Sequence, residues 1–154
     1  LGFDSWGNDS ARVSGDLGSW CCLSADPELN HVYVPFTAPT AAYYGGHRPG
    51  DNLFSNSLVA IDVTTGERVW GRELPYFKRE KARKSRDVYA HFGPVLAGGN
   101  LWVASDDGTL KSYDPETGTP RASLSIPGGA ASSMSVAGAT MYVISGRGQL
   151  HAFR

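Results

Sequence analysis

The sequence lacks an excess of charge of either sign, and it lacks any long hydrophobic run. Its 154 residues include 14 lysines and arginines against 15 aspartates and glutamates, which gives a formal net charge of −1. This balance excludes a global electrostatic attraction to nucleic acid or to an anionic membrane surface. No segment has the roughly 20 consecutive apolar residues that a transmembrane helix needs. The composition predicts a soluble, turn-rich, all-β protein.

Cysteine is scarce, since the chain contains only Cys21 and Cys22. Adjacent Cα atoms lie about 3.8 Å apart, which is below the usual span of a disulfide, so a bond between these two residues would be strained. One interpretation is a pair of thiols in a strand, with one side chain facing inwards and the other outwards. The alternative is a redox-labile vicinal disulfide.

Potential metal ligands are not clustered along the sequence. The aspartates have no spacing typical of a metal site, and a lone histidine on a strand is more often a structural hydrogen-bonding group than a ligand. No arrangement of Ser, His and Asp for nucleophilic catalysis is present, and no phosphate-binding loop. The sequence therefore predicts no catalytic residue and no metal site. The histidines are His31, His47, His91 and His151.

Glycine and a repeated phrase are what the chain has in abundance, with 19 glycines in all. Residues 57–74, SLVAIDVTTGERVWGREL, are followed by a second copy at 109–126, TLKSYDPETGTPRASLSI, and by the opening of a third at 149–154, QLHAFR. The preceding strands repeat too, because 94–110 aligns with 134–150 at a period of 40. A period near 40 with four short strands per unit is typical of a β-propeller blade.

The repeats predict an all-β fold, a partial β-propeller of about 2.75 four-stranded antiparallel blades with about eleven strands. The third blade lacks its outer strand, and either the N-terminal stretch or a second chain would have to cover the unpaired edge. We predict a candidate closing strand in an N-terminal segment, a first blade with a long loop at 37–56, a basic linker, a second blade and an incomplete third blade. Their ranges are 1–18, 19–77, 78–87, 88–128 and 129–154.

Two segments between the strands have more than one interpretation. Residues 78–86, KREKARKSR, hold six of the basic residues and are the one helix-like stretch. They are either a solvated helical linker or a patch for an acidic partner, and the absence of aromatic residues within the run disfavours a nucleic-acid groove. The loop 37–56, with Tyr43, Tyr44, His47 and Arg48, either contacts a ligand or covers the propeller face.

The repeated phrase contains a motif with a mechanical purpose, formed by Ala60, Asp62, Gly66 and Trp70. The aspartate can accept hydrogen bonds from the amides of a turn, and the glycine supplies a positive φ. The tryptophan ends the outer strand, where its ring can cover the neighbouring blade. This motif predicts contact between successive blades.

The second copy keeps Asp114 and Gly118 but has Ala122 where the tryptophan would fall, so we expect weaker docking there. The pattern resembles the tryptophan-docking motif of the pyrroloquinoline-quinone (PQQ) propeller repeats. The resemblance divides the chain into two parts that meet between Gly71 and Lys84.

Residues 18–70 look like one blade of a PQQ-dependent quinoprotein dehydrogenase, and the segment RPGDNL at 48–53 is the specific part. This resemblance implies a periplasmic enzyme that oxidises alcohols or sugars with PQQ held by calcium. It also implies Arg48, Asp51 and Asn52 as cofactor-binding residues. Residues 85–154 are similar to the C-terminal blades of the propeller lipoprotein of the outer-membrane β-barrel assembly machinery, a scaffold without a cofactor.

The chain departs from the dehydrogenase family at the positions that the resemblance assigns to the calcium ligand and to the catalytic base. The family's calcium-binding asparagine falls on Ala38, and a methyl group cannot coordinate calcium. The segment after Trp70 contains no aspartate in the place of the catalytic base, and Glu73 belongs to an outer strand. The pair Cys21–Cys22 lies elsewhere in chain order than the family's vicinal cysteines, so it cannot inherit their contact with the cofactor.

We therefore interpret the chain as a non-catalytic, PQQ-like propeller module that acts as a protein-binding scaffold, with a role in outer-membrane protein assembly implied by resemblance. The alternative is a fragment of a PQQ- and calcium-dependent dehydrogenase that is inactive on its own. We expect no cofactor, no nucleic acid, and either protein partners or self-association through open blade edges. Resemblance alone implies a periplasmic location.

Overall fold

The computed structural model describes residues 2–19, 22–39, 46–79 and 87–154, and these residues form three antiparallel sheets. The sheets follow one another along the chain in the manner of propeller blades, which confirms the predicted all-β partial propeller. We call β1–β4 the first blade, β5–β8 the second blade and β9–β11 the third blade. The strands are β1 Ser24–Asp26, β2 His31–Phe36, β3 Ser57–Asp62, β4 Arg68–Glu73, β5 His91–Ala97, β6 Asn100–Ser105, β7 Thr109–Tyr113, β8 Pro120–Ser125, β9 Ser135–Ala137, β10 Thr140–Ile144 and β11 Leu150–Phe153.

Each blade is a simple meander in which every strand pairs with the next one in sequence. Alternation along the strands sends one set of side chains to each side of a sheet, so a sheet with neighbours on both sides is apolar on both. In β6, for example, Leu101 and Val103 join the core between the first and second blades. Ala104 on the same strand joins the core between the second and third blades.

The core between the first and second blades is built around aromatic side chains. Tyr33 is fully buried, and its ring lies 5.9 Å from that of Trp70, centroid to centroid. The Tyr33 hydroxyl donates a hydrogen bond of 3.2 Å to the Pro115 carbonyl oxygen of the second blade. Burial, with smaller contributions from two carboxylates, raises the pKa of Tyr33 to about 12, so the hydroxyl stays a donor at physiological pH.

Two turns of the same design follow β3 and β7. In the first, the Asp62 carboxylate accepts hydrogen bonds from the backbone amides of Thr64 and Thr65 at 2.9 and 2.8 Å. In the second, Asp114 accepts them from the two equivalent amides of 116 and 117, both at 2.9 Å. A glycine with positive φ closes each turn, which is the geometry that the repeated motif predicts.

Trp70 docks on the turn of the next blade. Its Nε1 donates a hydrogen bond of 3.0 Å to the Pro115 carbonyl oxygen, and its side chain is buried. The ring lies so close to Gly118 that a Cβ there would be 2.6 Å from two ring atoms. Arg72 adds a hydrogen bond of 2.6 Å from Nε to the Gly118 carbonyl oxygen. Trp70 thus fixes the first blade to the second.

The contact between the second and third blades has no such anchor. Ala122, at the position equivalent to Trp70, is exposed. A cleft of about 280 Å³ lies nearby, lined among others by Trp102, Leu124, Met141 and Phe153. The apolar cluster between these blades instead lies deeper, around the buried Leu110, Ile126 and Val143.

The N-terminal segment does not form the closing strand that the sequence analysis predicted for the third blade. Trp6 is buried, and its Nε1 donates a hydrogen bond of 2.8 Å to the Leu53 carbonyl oxygen in the long loop of the first blade. Glycine, asparagine, aspartate and serine favour turns over strands here. In the described residues the third sheet contains only β9, β10 and β11, and the N-terminal segment adds no strand to it. It forms 3-10 helices at Phe3–Ser5 and Gly7–Asp9 and one helical turn, α1, at Ala11–Ser14.

Some predictions fall on residues that the structure does not describe. The helix-like stretch 80–86, Cys21 and the tyrosines 43 and 44 lie outside the described residues. Among the described residues of the first blade, the first strand is β1, Ser24–Asp26, and it pairs with β2. No helix in the described ranges has the length and hydropathy needed to cross a membrane.

Candidate functional site

The two ends of the sheet stack carry connections of very different length. Because strands in each blade alternate in direction, the connections 37–56, 74–90 and 126–134 lie at one end, which we call the loop face. The opposite end carries only short turns, at 27–30, 63–67, 98–99, 114–119 and 138–139. Binding residues of proteins concentrate on long loops that a rigid scaffold holds. The loop face is therefore the candidate functional surface.

The N-terminal segment holds the 46–56 loop in place. The Gly7 amide donates to the Pro49 carbonyl oxygen at 2.6 Å, and the Asn52 amide donates to the Ser5 carbonyl oxygen at 3.1 Å. The Ser5 hydroxyl accepts a further bond of 2.8 Å from the Leu53 amide. Gly50 has a φ of 99°, and a Cβ at this position would be 2.2 Å from the Ser5 carbonyl oxygen, so only glycine permits this approach.

Two of the three predicted cofactor-binding residues meet inside this loop. Arg48 is only 4% exposed, and its Nη1 donates a hydrogen bond of 2.9 Å to the Asn52 side-chain oxygen. Its Nη2 donates to the Tyr76 hydroxyl at 3.3 Å. Asn52 is equally buried, whereas Asp51 is exposed and forms no part of this cluster. The buried pair therefore links the long loop to the connection after β4.

The residues present do not fit a calcium-bound quinone. Ala38, at the expected position of the calcium ligand, offers only a methyl group and a backbone carbonyl. Glu73 lies in β4, the outer strand of the first blade, where it pairs with Ser57. Hard cations need several oxygen ligands around one point. Within the described residues, no group of three His, Cys, Asp or Glu side chains could hold a metal ion.

Two of the histidines have contacts within or beside the strands. His91 forms a hydrogen bond of 2.7 Å between Nε2 and the Pro75 carbonyl oxygen. Burial lowers the pKa of His91 below its usual value, so the ring is neutral at physiological pH. His31 is buried in β2 against Tyr33, at a centroid distance of 6.2 Å. Both residues have structural roles in strands, and neither belongs to a ligand cluster.

The sequence analysis missed the contacts of three residues that organise the loop face, namely Tyr76, Lys78 and Asp106. Tyr76 is the partner of Arg48, and it stacks on Phe77 at a centroid distance of 4.2 Å. Lys78 forms a salt bridge with Asp106 of the second blade, which ties the connection after β4 to the turn after β6. The aromatic pair Tyr76–Phe77, next to the basic run, was the signal in the sequence for a site here. That Tyr76 pairs with Arg48, 28 residues earlier, can be seen only in the tertiary structure.

Two family models of propeller proteins match the chain, and one of them covers more than half of it. Residues 54–154 match the family model described as outer membrane protein assembly factor BamB. Residues 3–76 match the model described as glucose/ethanol/alcohol dehydrogenase, β-propeller domain. The two matches overlap at 54–76, close to the boundary between the two resemblances in the sequence.

Individual relatives match different shares of the chain, and one match extends across the boundary between its two parts. Quinate/shikimate dehydrogenase (quinone) of Acinetobacter baylyi is 36% identical over 53 residues, which are 34% of this chain and 7% of the relative. Lupanine 17-hydroxylase (cytochrome c) of a Pseudomonas species is 28% identical in an alignment of 129 residues that covers 73% of this chain and 17% of the relative. The chain thus spans a small part of these relatives.

The solved structure of a europium-containing methanol dehydrogenase superposes with a TM-score of 0.62. The superposition covers 92% of this chain and 32% of that one, at 16% sequence identity. At this identity the likeness concerns the fold, and it agrees with three successive propeller blades.

Proposed function

Because the chain belongs to the PQQ-like β-propeller family described as outer membrane protein assembly factor BamB, we propose that it is a non-catalytic scaffold that binds other proteins through its loop face. The observation that carries this proposal is the chemistry of the first blade. The methyl group of Ala38 stands at the position where the resemblance expects a calcium ligand. Two of the three residues expected to bind the cofactor, Arg48 and Asn52, are hydrogen-bonded to each other. The proposal includes a periplasmic location and the absence of a bound cofactor.

The loop face has the properties that a protein-binding surface needs. The described parts of three long connections lie at this end of the sheets, and the hydrogen bond from Arg48 to Tyr76 joins two of them. The Lys78–Asp106 salt bridge joins the connection after β4 to the turn after β6 of the second blade. The buried Arg48–Asn52 pair and the N-terminal segment fix the conformation of residues 46–56 of the longest loop. A pre-shaped surface loses less conformational entropy on binding than a mobile one. We infer that these contacts hold the loops ready for a protein partner.

A photo-crosslinking experiment tests the scaffold proposal. A photoreactive residue replaces the exposed Asp51 on the loop face or, as a matched control, the exposed Thr65 on the short-turn end. Each protein is irradiated with purified outer-membrane β-barrel assembly complex. We expect adducts from position 51 and none from position 65. Equal yields from both positions, or no adduct from either, would contradict the proposal.

The match of residues 3–76 favours a second candidate, a fragment of a PQQ- and calcium-dependent dehydrogenase that oxidises alcohols or sugars. Titration of PQQ into the chain with Ca²⁺, followed by tryptophan fluorescence, separates the two candidates. Under the scaffold proposal we expect no saturable, calcium-dependent quenching. Saturable quenching that disappears with a calcium chelator would make the dehydrogenase fragment the better account.

A further inference from the structure

We propose that the cleft of about 280 Å³ between the second and third blades binds a tryptophan side chain of a partner protein. This cleft, which we call the indole cleft, lies beside the short turns at 98–99 and 138–139, and therefore at the end of the sheets opposite to the loop face. The inference concerns a different surface from the one in the proposed function, so it does not depend on that function. The cleft is lined among others by Trp102, Leu110, Leu124, Val136, Met141 and Phe153.

The walls of the indole cleft correspond by sequence to the walls of the site that holds Trp70. The repeated phrase aligns 57–74 with 109–126, and the period of 40 aligns 94–110 with 134–150. The strand registers extend both alignments to the neighbouring strands. The core that contains Trp70 is formed among others by Tyr33, Leu58, Leu101 and Tyr113, with Leu96 packed against it. Their counterparts, which all line the cleft, are in the same order Trp102, Leu110, Met141, Phe153 and Val136.

The two sites differ by the ring itself, because Ala122 in β8 stands where β4 has Trp70. Each residue pairs with the preceding strand in the equivalent register, Trp70 with Ala60 and Ala122 with Ser112. By alternation along β8, Ala122 lies on the same side of the sheet as Leu124, which lines the cleft. The cleft volume is close to the lower limit for ligand pockets, about 300–1,000 Å³, and it therefore suits one aromatic side chain.

The walls of the indole cleft favour an aromatic ring as the ligand. In the first interface, the rings of Trp70 and Tyr33 pack at a centroid distance of 5.9 Å with a tilt of 32°. The counterpart of Tyr33 is Trp102, whose Nε1 donates a hydrogen bond of 3.1 Å to the Ala97 carbonyl oxygen. This bond fixes the Trp102 ring as one wall, on which a second ring can stack with an offset. Met141, on the wall from the third blade, offers a sulfur atom that makes favourable contacts with aromatic rings.

The rim of the cleft favours a ring carried by a protein over a free aromatic molecule. Leu124 and Val136 line the cleft and are 38% and 46% exposed. A free ring would leave these side chains partly in water, whereas the residues that flank a tryptophan in a polypeptide can cover them. The cleft is also continuous with the core between the second and third blades, because Leu110 and Met141 belong to both. A tryptophan from a partner would therefore extend an apolar interface that already exists, as Trp70 does within the chain.

The first experiment is a titration with N-acetyl-tryptophanamide, followed by methyl NMR of the chain. We expect saturable shifts of the Leu124, Val136 and Met141 methyl resonances, with a Kd of about 0.1–1 mM from the binding free energy per atom typical of small ligands. N-acetyl-leucinamide is the control, and it should bind about fivefold or more weakly because it cannot stack on Trp102. The proposal is wrong if these methyl groups show no saturable shift up to about 10 mM, or if the two amides bind equally.

A substitution that supplies the ring within the chain tests where the probe binds. Ala122→Trp should place an indole in the cleft and weaken the binding of N-acetyl-tryptophanamide about tenfold or more. Ala131→Trp, at an exposed alanine of the loop face, is the matched control and should leave the binding unchanged. If Ala122→Trp does not fold, Leu124→Asp replaces it, since a carboxylate at the rim should weaken binding by a similar factor. Unchanged binding in the variant used would show that the probe binds elsewhere and would overturn the proposal.

A pair of peptides distinguishes a ring carried by a protein from a free one. Both are short peptides of serine and threonine, one with a central tryptophan and the other with alanine in its place. The tryptophan peptide should bind more tightly than N-acetyl-tryptophanamide, by about threefold or more, because its flanking residues cover Leu124 and Val136. We expect no binding of the alanine peptide. A tryptophan peptide that binds no more tightly than the amide would assign the cleft to free aromatic molecules and contradict the proposal, as would equal binding of the two peptides.

Discussion

The two interfaces between successive blades are both formed by stacked four-stranded or three-stranded sheets, but only the first has a docked tryptophan. Between the first and second blades, Trp70 lies against Gly118 and donates a hydrogen bond to the Pro115 carbonyl oxygen. Between the second and third blades, Ala122 stands in its place, and a cleft of about 280 Å³ remains nearby. Apolar burial alone brings sheets together without fixing one arrangement, because it is non-directional. A docked tryptophan adds a directional contact and fills the gap.

The largest expected effect comes from removing the anchor. Trp70→Ala should lower the free energy of unfolding by about 3–5 kcal/mol, because it deletes a large buried side chain and leaves a cavity. Trp70→Phe keeps a ring but loses the donor, and it should cost about 1 kcal/mol. Urea titration followed by circular dichroism measures both. A loss below about 1 kcal/mol for Trp70→Ala would show that the two interfaces are equally well anchored without it.

A pair of glycines separates docking from turn strain. Gly66 and Gly118 close equivalent turns with φ of 71° and 68°, but an added Cβ meets nothing within 4 Å at Gly66. Gly66→Ala should cost roughly 1–2 kcal/mol from backbone conformation alone. Gly118→Ala should cost about 1–3 kcal/mol more, because its Cβ would displace the Trp70 ring. Equal losses in urea titration would mean that the ring does not constrain the turn.

A smaller effect is expected at the open interface. Leu124, which lines the cleft, is 38% exposed. Leu124→Ala should therefore cost about 1 kcal/mol or less, well below the 2–5 kcal/mol typical of a fully buried leucine. Leu58→Ala, at a fully buried position in the core between the first and second blades, is the matched control. A cost at 124 similar to that at 58 would show that the cleft closes in solution.

The smallest effect is expected on acid titration. Hydrogen bonds from the Thr65 and Thr117 amides hold the pKa of Asp62 and of Asp114 below the ordinary value. A lowered pKa gives stability that is present above about pH 3.9, the ordinary value for aspartate, and is lost as pH falls through the folded-state pKa.

The double variant Asp62→Asn with Asp114→Asn keeps side-chain acceptors but cannot titrate. Its melting temperature should therefore fall less between pH 5 and pH 2 than that of the natural chain. Parallel falls in differential scanning calorimetry would show that the two turns do not contribute to acid unfolding.

Most of the fold could be predicted because its signals are local. The short apolar run within Ser57–Asp62 and the turn residues after it predict a strand and a turn from neighbours in sequence alone. The period then places the equivalent elements of the second blade, including the turn at Asp114. The prediction that the N-terminal segment closes the third blade was wrong. Trp6 and Ser5 instead form hydrogen bonds with the backbone of Leu53, almost 50 residues away in the long loop.

The candidate site was only partly predictable. The sequence singled out Arg48 and Asn52, and the structure brings them together, but as a buried structural pair with Tyr76. Asp51, from the same segment, faces solvent. The prediction that Ala38 stands where the related dehydrogenases have a calcium ligand rests on the resemblance in sequence, and it stays a prediction.

The sequence by itself determined the strands, the two aspartate turns and the repeat, because each depends on contacts within a few residues. Only the tertiary structure decided that Trp70 reaches Pro115 and that the N-terminal segment holds residues 46–56 of the long loop. These outcomes depend on how whole sheets stack, and that packing brings together residues that are distant in the chain.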